Sequence, residues 1–139
     1  MSLVEGLASL LTAKGLVNFD STGLESDIFM DDMPSAPDQA VSLTVNGGSE
    51  SDSLLPYDEP RVQVRVRGTA DPRVSRDRAE KIRGALHGLS DRLLPGGIYL
   101  VLAVAVQPSA TSIGQDNLHR HEHVFDLRCE ILNSSENRL

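Results

Sequence analysis

His119, His121 and His123 alternate with Arg120 and Glu122, and no other string in the chain comes as near to a set of reactive side chains. In an extended segment every second side chain shares a face, so three imidazoles would project together and could hold Zn²⁺ or Ni²⁺. Such a site would make the protein a metal-dependent enzyme. Against it, the H-E-x-x-H pattern is missing, no second Cys or His cluster accompanies the string, and Arg120 would oppose a bound cation. Histidines at the start of a strand are the plainer reading, with His123 in phase with Phe125 at the margin of the core. The sole cysteine, Cys129, is in phase with a buried strand face and reads as packed rather than reactive. Asp31 and Asp32 precede Pro34 in a loop without a partner for acid–base work. Gly47-Gly48 and Gly96-Gly97 read as hairpin turns, not as phosphate cradles. No catalytic residue, cofactor or metal is expected.

Binding chemistry is more promising. Pro60 to Gly68 places Val62, Val64 and Val66 on one face of a strand and Arg61, Gln63, Arg65 and Arg67 on the other. Three cations in one row repel each other unless something opposes them. Just before them, residues 46–59 hold Glu50, Asp52, Asp58 and Glu59 around the apolar pair Leu54-Leu55. A connection this long is usually functional or disordered, so it reads either as a floppy hairpin connection or as an acidic arm that orders on a neighbouring molecule. The formal net charge of −7 counts against nucleic-acid coating as the role of the arginine face.

The elements that must carry these residues follow from patterning. Ser2 and Glu5 have capping-box spacing, Leu3, Leu7, Leu10 and Leu11 form a stripe, and Gly15 stands at a C-cap, which predicts a helix over 3–14. Strands are predicted at 27–30, 41–45 (closed by Asn46-Gly47-Gly48) and 60–67. Asp71-Pro72 starts a second helix whose buried side is Ala79, Ile82, Ala85, Leu86 and Leu89. The apolar run 98–106 suits a central strand covered on both faces. The last strand spans 122–132 with Phe125, Leu127, Cys129 and Ile131 inward.

The order α-β-β-β-α-β-β predicts an α+β fold, a mostly antiparallel sheet of about five strands with two helices on one face. With 139 residues, residues 1–132 form a single domain with the 46–59 arm, and 133–139 form a frayed tail. The longest apolar run, nine residues, falls short of the ~20 a membrane helix needs, and the start lacks a signal-peptide pattern. The chain reads as soluble, made in the cytosol, without membrane contact.

The segment Glu59-Pro60-Arg61-Val62-Gln63-Val64-Arg65-Val66-Arg67-Gly68, the following helix with Ala79, Ile82 and Leu86-His87-Gly88, and Ile113 to Arg120 resemble the tail terminator or minor capsid proteins of long-tailed bacteriophages. The N-terminal helix and the Gly47-Gly48 turn agree, so the resemblance covers about residues 3–132. It implies a hexameric ring that caps the tail tube, stops its polymerisation and offers the head-joining face. The implied partners are further copies of the chain, the tail tube protein and the head–tail connector. DNA would pass through the lumen without sequence-specific contact. The protein would reside at the head-proximal end of the virion tail and assemble in the host cytoplasm. A connector or head-completion ring, or a tube subunit, is the alternative. The subunit contact expected from the residues pairs Arg61, Arg65 and Arg67 with Glu50, Asp52, Leu54, Leu55, Asp58 and Glu59 of the next copy.

Overall fold

The computed structural model describes residues 2–138. Helix α1 (Leu3–Ala13) starts on the predicted capping box: the Ser2 hydroxyl accepts from the Glu5 amide while the Glu5 carboxylate reaches back. It closes with Leu16 N–H donating to the Leu11 carbonyl beside Gly15, the Schellman pattern. Strands β1 (Ile28–Met30), β2 (Ala40–Gly48), β3 (Tyr57–Asp58) and β4 (Pro60–Arg67) precede α2 (Pro72–Leu86), which Asp71 caps. Strands β5 (Ser90–Leu93), β6 (Tyr99–Ala105), β7 (Thr111–Gln115) and β8 (His121–Leu132) follow.

The α+β class stands, with eight strands instead of about five. The additional ones are β3, β5 and β7, all short and at the periphery of one sheet ordered β1-β2-β4-β8-β6-β5. Every neighbouring pair is antiparallel except β1 with β2. The hub is β8, which is long enough to take two strands along each edge. β4 and β3 lie end to end on one side, β6 and β7 on the other. The run 98–106 is not the strand covered on both faces. β6 lies next to the edge strand β5, and Val101, Leu102 and Val104 are only half-buried.

Both helices pack on one face, α1 over β1 and β2, α2 over β4, β6 and β8. Their buried residues join Val41, Leu43, Val62, Val64, Val66, Phe125, Leu127 and Cys129 in one core. Register explains the set: Val41 lies opposite Val66, Leu43 opposite Val64, and Val64 opposite Phe125, so one parity of three strands faces the helices. Val45, two positions beyond the buried Leu43, is half exposed. Asn46-Gly47-Gly48 does not end the strand either. β2 continues through a bulge to pair Gly48 with Pro60. Gly48 sits at φ +133°, and a Cβ there would collide with the Glu59 carbonyl, so only glycine closes this bulge. At Gly68 a Cβ would meet the Ser75 amide nitrogen at 2.8 Å, which explains a glycine where β4 turns under α2.

Residues 133–138 carry contacts to the rest of the chain, and Leu139, the last residue of the tail, lies outside the described residues. Asn133 N–H donates to the Pro56 carbonyl, and the Arg138 guanidinium grips Asp58 with two bonds of 2.9 and 3.1 Å.

Candidate functional site

The uncovered face of the sheet carries the arginine row, and the chain itself supplies most of what opposes those charges. Arg65 makes a bidentate pair with Glu122, at 2.9 and 2.7 Å. Arg67 is 4% exposed and donates to three carbonyls of the β1–β2 connection: Pro34 at 2.6 Å, Pro37 at 2.7 Å and Asp38 at 2.8 Å. Burial, and then the charge of Arg120, pull the Arg67 pKa down, while the Glu122 carboxylate raises that of Arg65. Arg61 lies opposite Arg128, which Glu130 and Glu59 neutralise. Arg61 itself is exposed and makes no ion pair among the described residues. Of the row's arginines, Arg61 alone lacks an ion pair or side-chain hydrogen bond among the described residues, while Arg65, though paired, keeps a 42% exposed side chain.

Arg120 completes the arrangement from the β7–β8 turn. It bonds Asp116, Asp38 and the Ser35 carbonyl, tying that turn to the β1–β2 connection. Together these side chains floor and rim a concavity of about 420 Å³ whose lining includes Asp31, Asp32, Gln63, Arg65, Asp116 and Leu118. Arg65, Arg67, Asp116, Arg120 and Glu122 are ion-paired or hydrogen-bonded to one another or to backbone carbonyls, and no cysteine or histidine is among its lining residues. Asp116 reports on the network. The Arg120 guanidinium, with backbone N–H groups, lowers its carboxyl to about 2. A depressed folded pKa stabilises above the unfolded value of ~3.9 and is lost as pH falls toward the folded one. Acid titration followed by circular dichroism is thus expected to show Asp116→Asn losing less stability than the parent between about pH 4 and pH 2. Parallel curves in that window would count against the network.

The three histidines do not form one exposed face, although His121 and His123 lie two positions apart on β8. His119 lies in the turn at φ +62°, His121 faces Gln115 with 3.1 Å between Nε2 atoms, and His123 is buried. Its Nδ1 is 2.8 Å from the Ser75 hydroxyl of α2, and burial lowers its pKa, which favours the neutral ring. Among the described residues no three His, Cys, Asp or Glu side chains group as a metal site requires. Cys129 is buried and its thiol is pushed up to about 12, so it is unreactive near neutrality.

The arm is ordered against β8. Tyr57 and Asp58 pair with Leu132 and Ile131 as β3, and the Tyr57 hydroxyl reaches Glu130 at 2.7 Å and Glu59 at 2.8 Å. Asp58 is held by Arg138. Farther out, Asp52 accepts from the amides of Leu54 and Leu55 at 2.8 and 2.6 Å, forming a tight turn. The two leucines stand 60% and 50% exposed. Of the acidic set, Asp58 and Glu59 are engaged inside the chain, whereas Glu50, Asp52 and the leucines face outward. Sequence reasoning missed Asp116, Arg120, Glu122, Asp38 and Arg138. Their partners lie 57 to 85 positions away in most cases. Only the charges inside the histidine string hinted at them.

The chain is thus a small α+β sheet protein with one charged open face and a clasped, leucine-tipped arm. The profile of the family described as bacteriophage tail terminator protein matches residues 10–133, and the chain belongs to that family. It is a structural component of a phage tail. A comparison with curated proteins finds no significant match.

Proposed function

We propose that copies of this chain close into a hexameric ring that caps the finished tail tube, stops its growth and presents the face joined by the head connector. The ring sits at the head-proximal end of the tail after assembly in the host cytoplasm, and DNA passes through it without sequence-specific contact. The role is structural, without a catalytic step. The observation that carries this reading, beyond family membership, is the arm: a rigid turn holding two leucines in water beside Glu50 and Asp52. Exposed apolar anchors ringed by charge mark association surfaces. The outward-facing Arg61 lies at the base of the same arm and belongs to the same side of the contact. Arg67 and Asp58 support these surfaces from within.

Tail tubes growing in vitro from the cognate tube protein provide the test. The full-length protein is expected to arrest their growth, with density at one tip in electron micrographs. Leu54→Asp/Leu55→Asp should remove that arrest while leaving the circular dichroism spectrum unchanged. Tubes that elongate unchecked in the presence of the parent protein would overturn the reading. Incorporation along the whole tube would replace it with that of a tube subunit.

A further inference from the structure

A head-to-tail contact needs a second patch, separate from the arm and complementary to it. The arginine row does not supply one: Arg65 and Arg67 are engaged within the chain, and Arg61 shares a hollow with Ser49 and Glu59 at the arm's own base. At the far end of α1, however, Leu10, Ala13, Lys14, Arg92, Leu93 and Pro95 line a groove of about 280 Å³. Its walls are apolar, with Leu93 of the edge strand β5 66% exposed. Lys14 and Arg92, both exposed, flank it, and neither makes an ion pair or a side-chain hydrogen bond among the described residues.

We infer that this groove receives the arm of a second copy, Leu54 and Leu55 entering between Leu93 and α1 while Glu50 and Asp52 meet Lys14 and Arg92. The chemistry is complementary on both counts. Two exposed leucines flanked by two carboxylates face an apolar trough flanked by two cations. Placement agrees. The arm's base shares a cavity with Ser2 and Leu3, whereas the groove begins at Leu10, so the two patches stand at opposite ends of a helix about 16 Å long. Within one copy they do not meet, since Leu54, Leu55 and Leu93 are all exposed. Donor and acceptor at opposite ends of a rigid body generate a chain of copies that closes when its rotation fits.

The inference rests on the ring reading for its context, and the test separates the two. Ser53→Cys/Ala13→Cys, both exposed positions in a protein whose native cysteine is buried, keeps both leucines and is treated with a short thiol cross-linker, alone and on tail tubes. A ladder of covalent multimers is expected. Lys14→Glu/Arg92→Glu added to that background should cut multimer yield about tenfold, and further Glu50→Lys, which leaves the Asp52 turn intact, should restore part of it. Tube capping without a ladder, or a ladder indifferent to charge reversal, overturns the inference and leaves the terminator reading standing. A charge-sensitive ladder from a protein that does not cap tubes supports the inference and removes the terminator reading. Absence of both rejects both.

Discussion

Arg67→Ala is expected to lower the melting temperature by about 10–20 °C, a loss of about 3–5 kcal/mol. The guanidinium is buried and serves as the common donor for the carbonyls of Pro34, Pro37 and Asp38. Truncation leaves three acceptors turned toward a cavity, and buried acceptors without donors are costly. It also detaches the β1–β2 connection from the sheet, on which Arg120 depends through Ser35 and Asp38. Arg67→Lys keeps the charge but not the planar fork, so it should recover only a minor part of the loss. Thermal unfolding by circular dichroism decides it. A shift below about 3 °C would mean that the network carries little stability. The result also bears on assembly. Loss of rings in an Arg67 variant would report damage to the fold rather than a lost subunit contact, whereas charge reversal at the exposed Arg61 is free of that ambiguity.

The second large effect is expected at Phe125. It is the largest fully buried side chain, and it sits in the middle of β8 opposite Val64. The other two phenylalanines, Phe19 and Phe29, are only partly buried. Phe125→Ala should cost about 3–5 kcal/mol, and Phe125→Leu clearly less because most of the volume remains. The expected signature is a lower denaturant midpoint with an unchanged slope, since the same surface is exposed on unfolding. A changed slope would indicate that β8 had come apart in the native state. That outcome is plausible only for the hub, because β3, β4, β6 and β7 all pair with it.

The principal strands were legible because burial acts on one parity at a time. β4 and β8 alternate strictly, and their registers put Val62, Val64, Val66, Phe125 and Leu127 on one face. Both helices were marked by local chemistry, Ser2 with Glu5 at one N-terminus and Asp71 with Pro72 at the other. The missed strands had no such signal. Ser90–Leu93 and Thr111–Gln115 are exposed at every position, so they are strands only because β6 and β8 offer ladders to them. The apolar run 98–106 suits a strand covered on both faces, yet Val101, Leu102 and Val104 are only half-buried. A sequence shows which residues are apolar but not where the helix layer stops.

The candidate site divides along the same line. His119, His121 and His123 have the spacing of a shared face, yet a turn at His119 separates the first from the strand, and Ser75 brings the last into the core. The acidic arm with its two leucines, the clash of arginines along β4 and the family pattern were all present in the linear order of residues, because composition and period are local properties. Which arginines remain available was not. Glu122 lies 57 positions from Arg65 and Pro34 lies 33 from Arg67, and only the antiparallel packing of β2, β4 and β8 brings them within hydrogen-bond reach. The sequence by itself thus determined the fold class and the kind of surface the protein carries. The tertiary structure decided which charges are consumed in holding that surface together and which, Arg61 and the arm's Glu50 and Asp52 among them, still face outward.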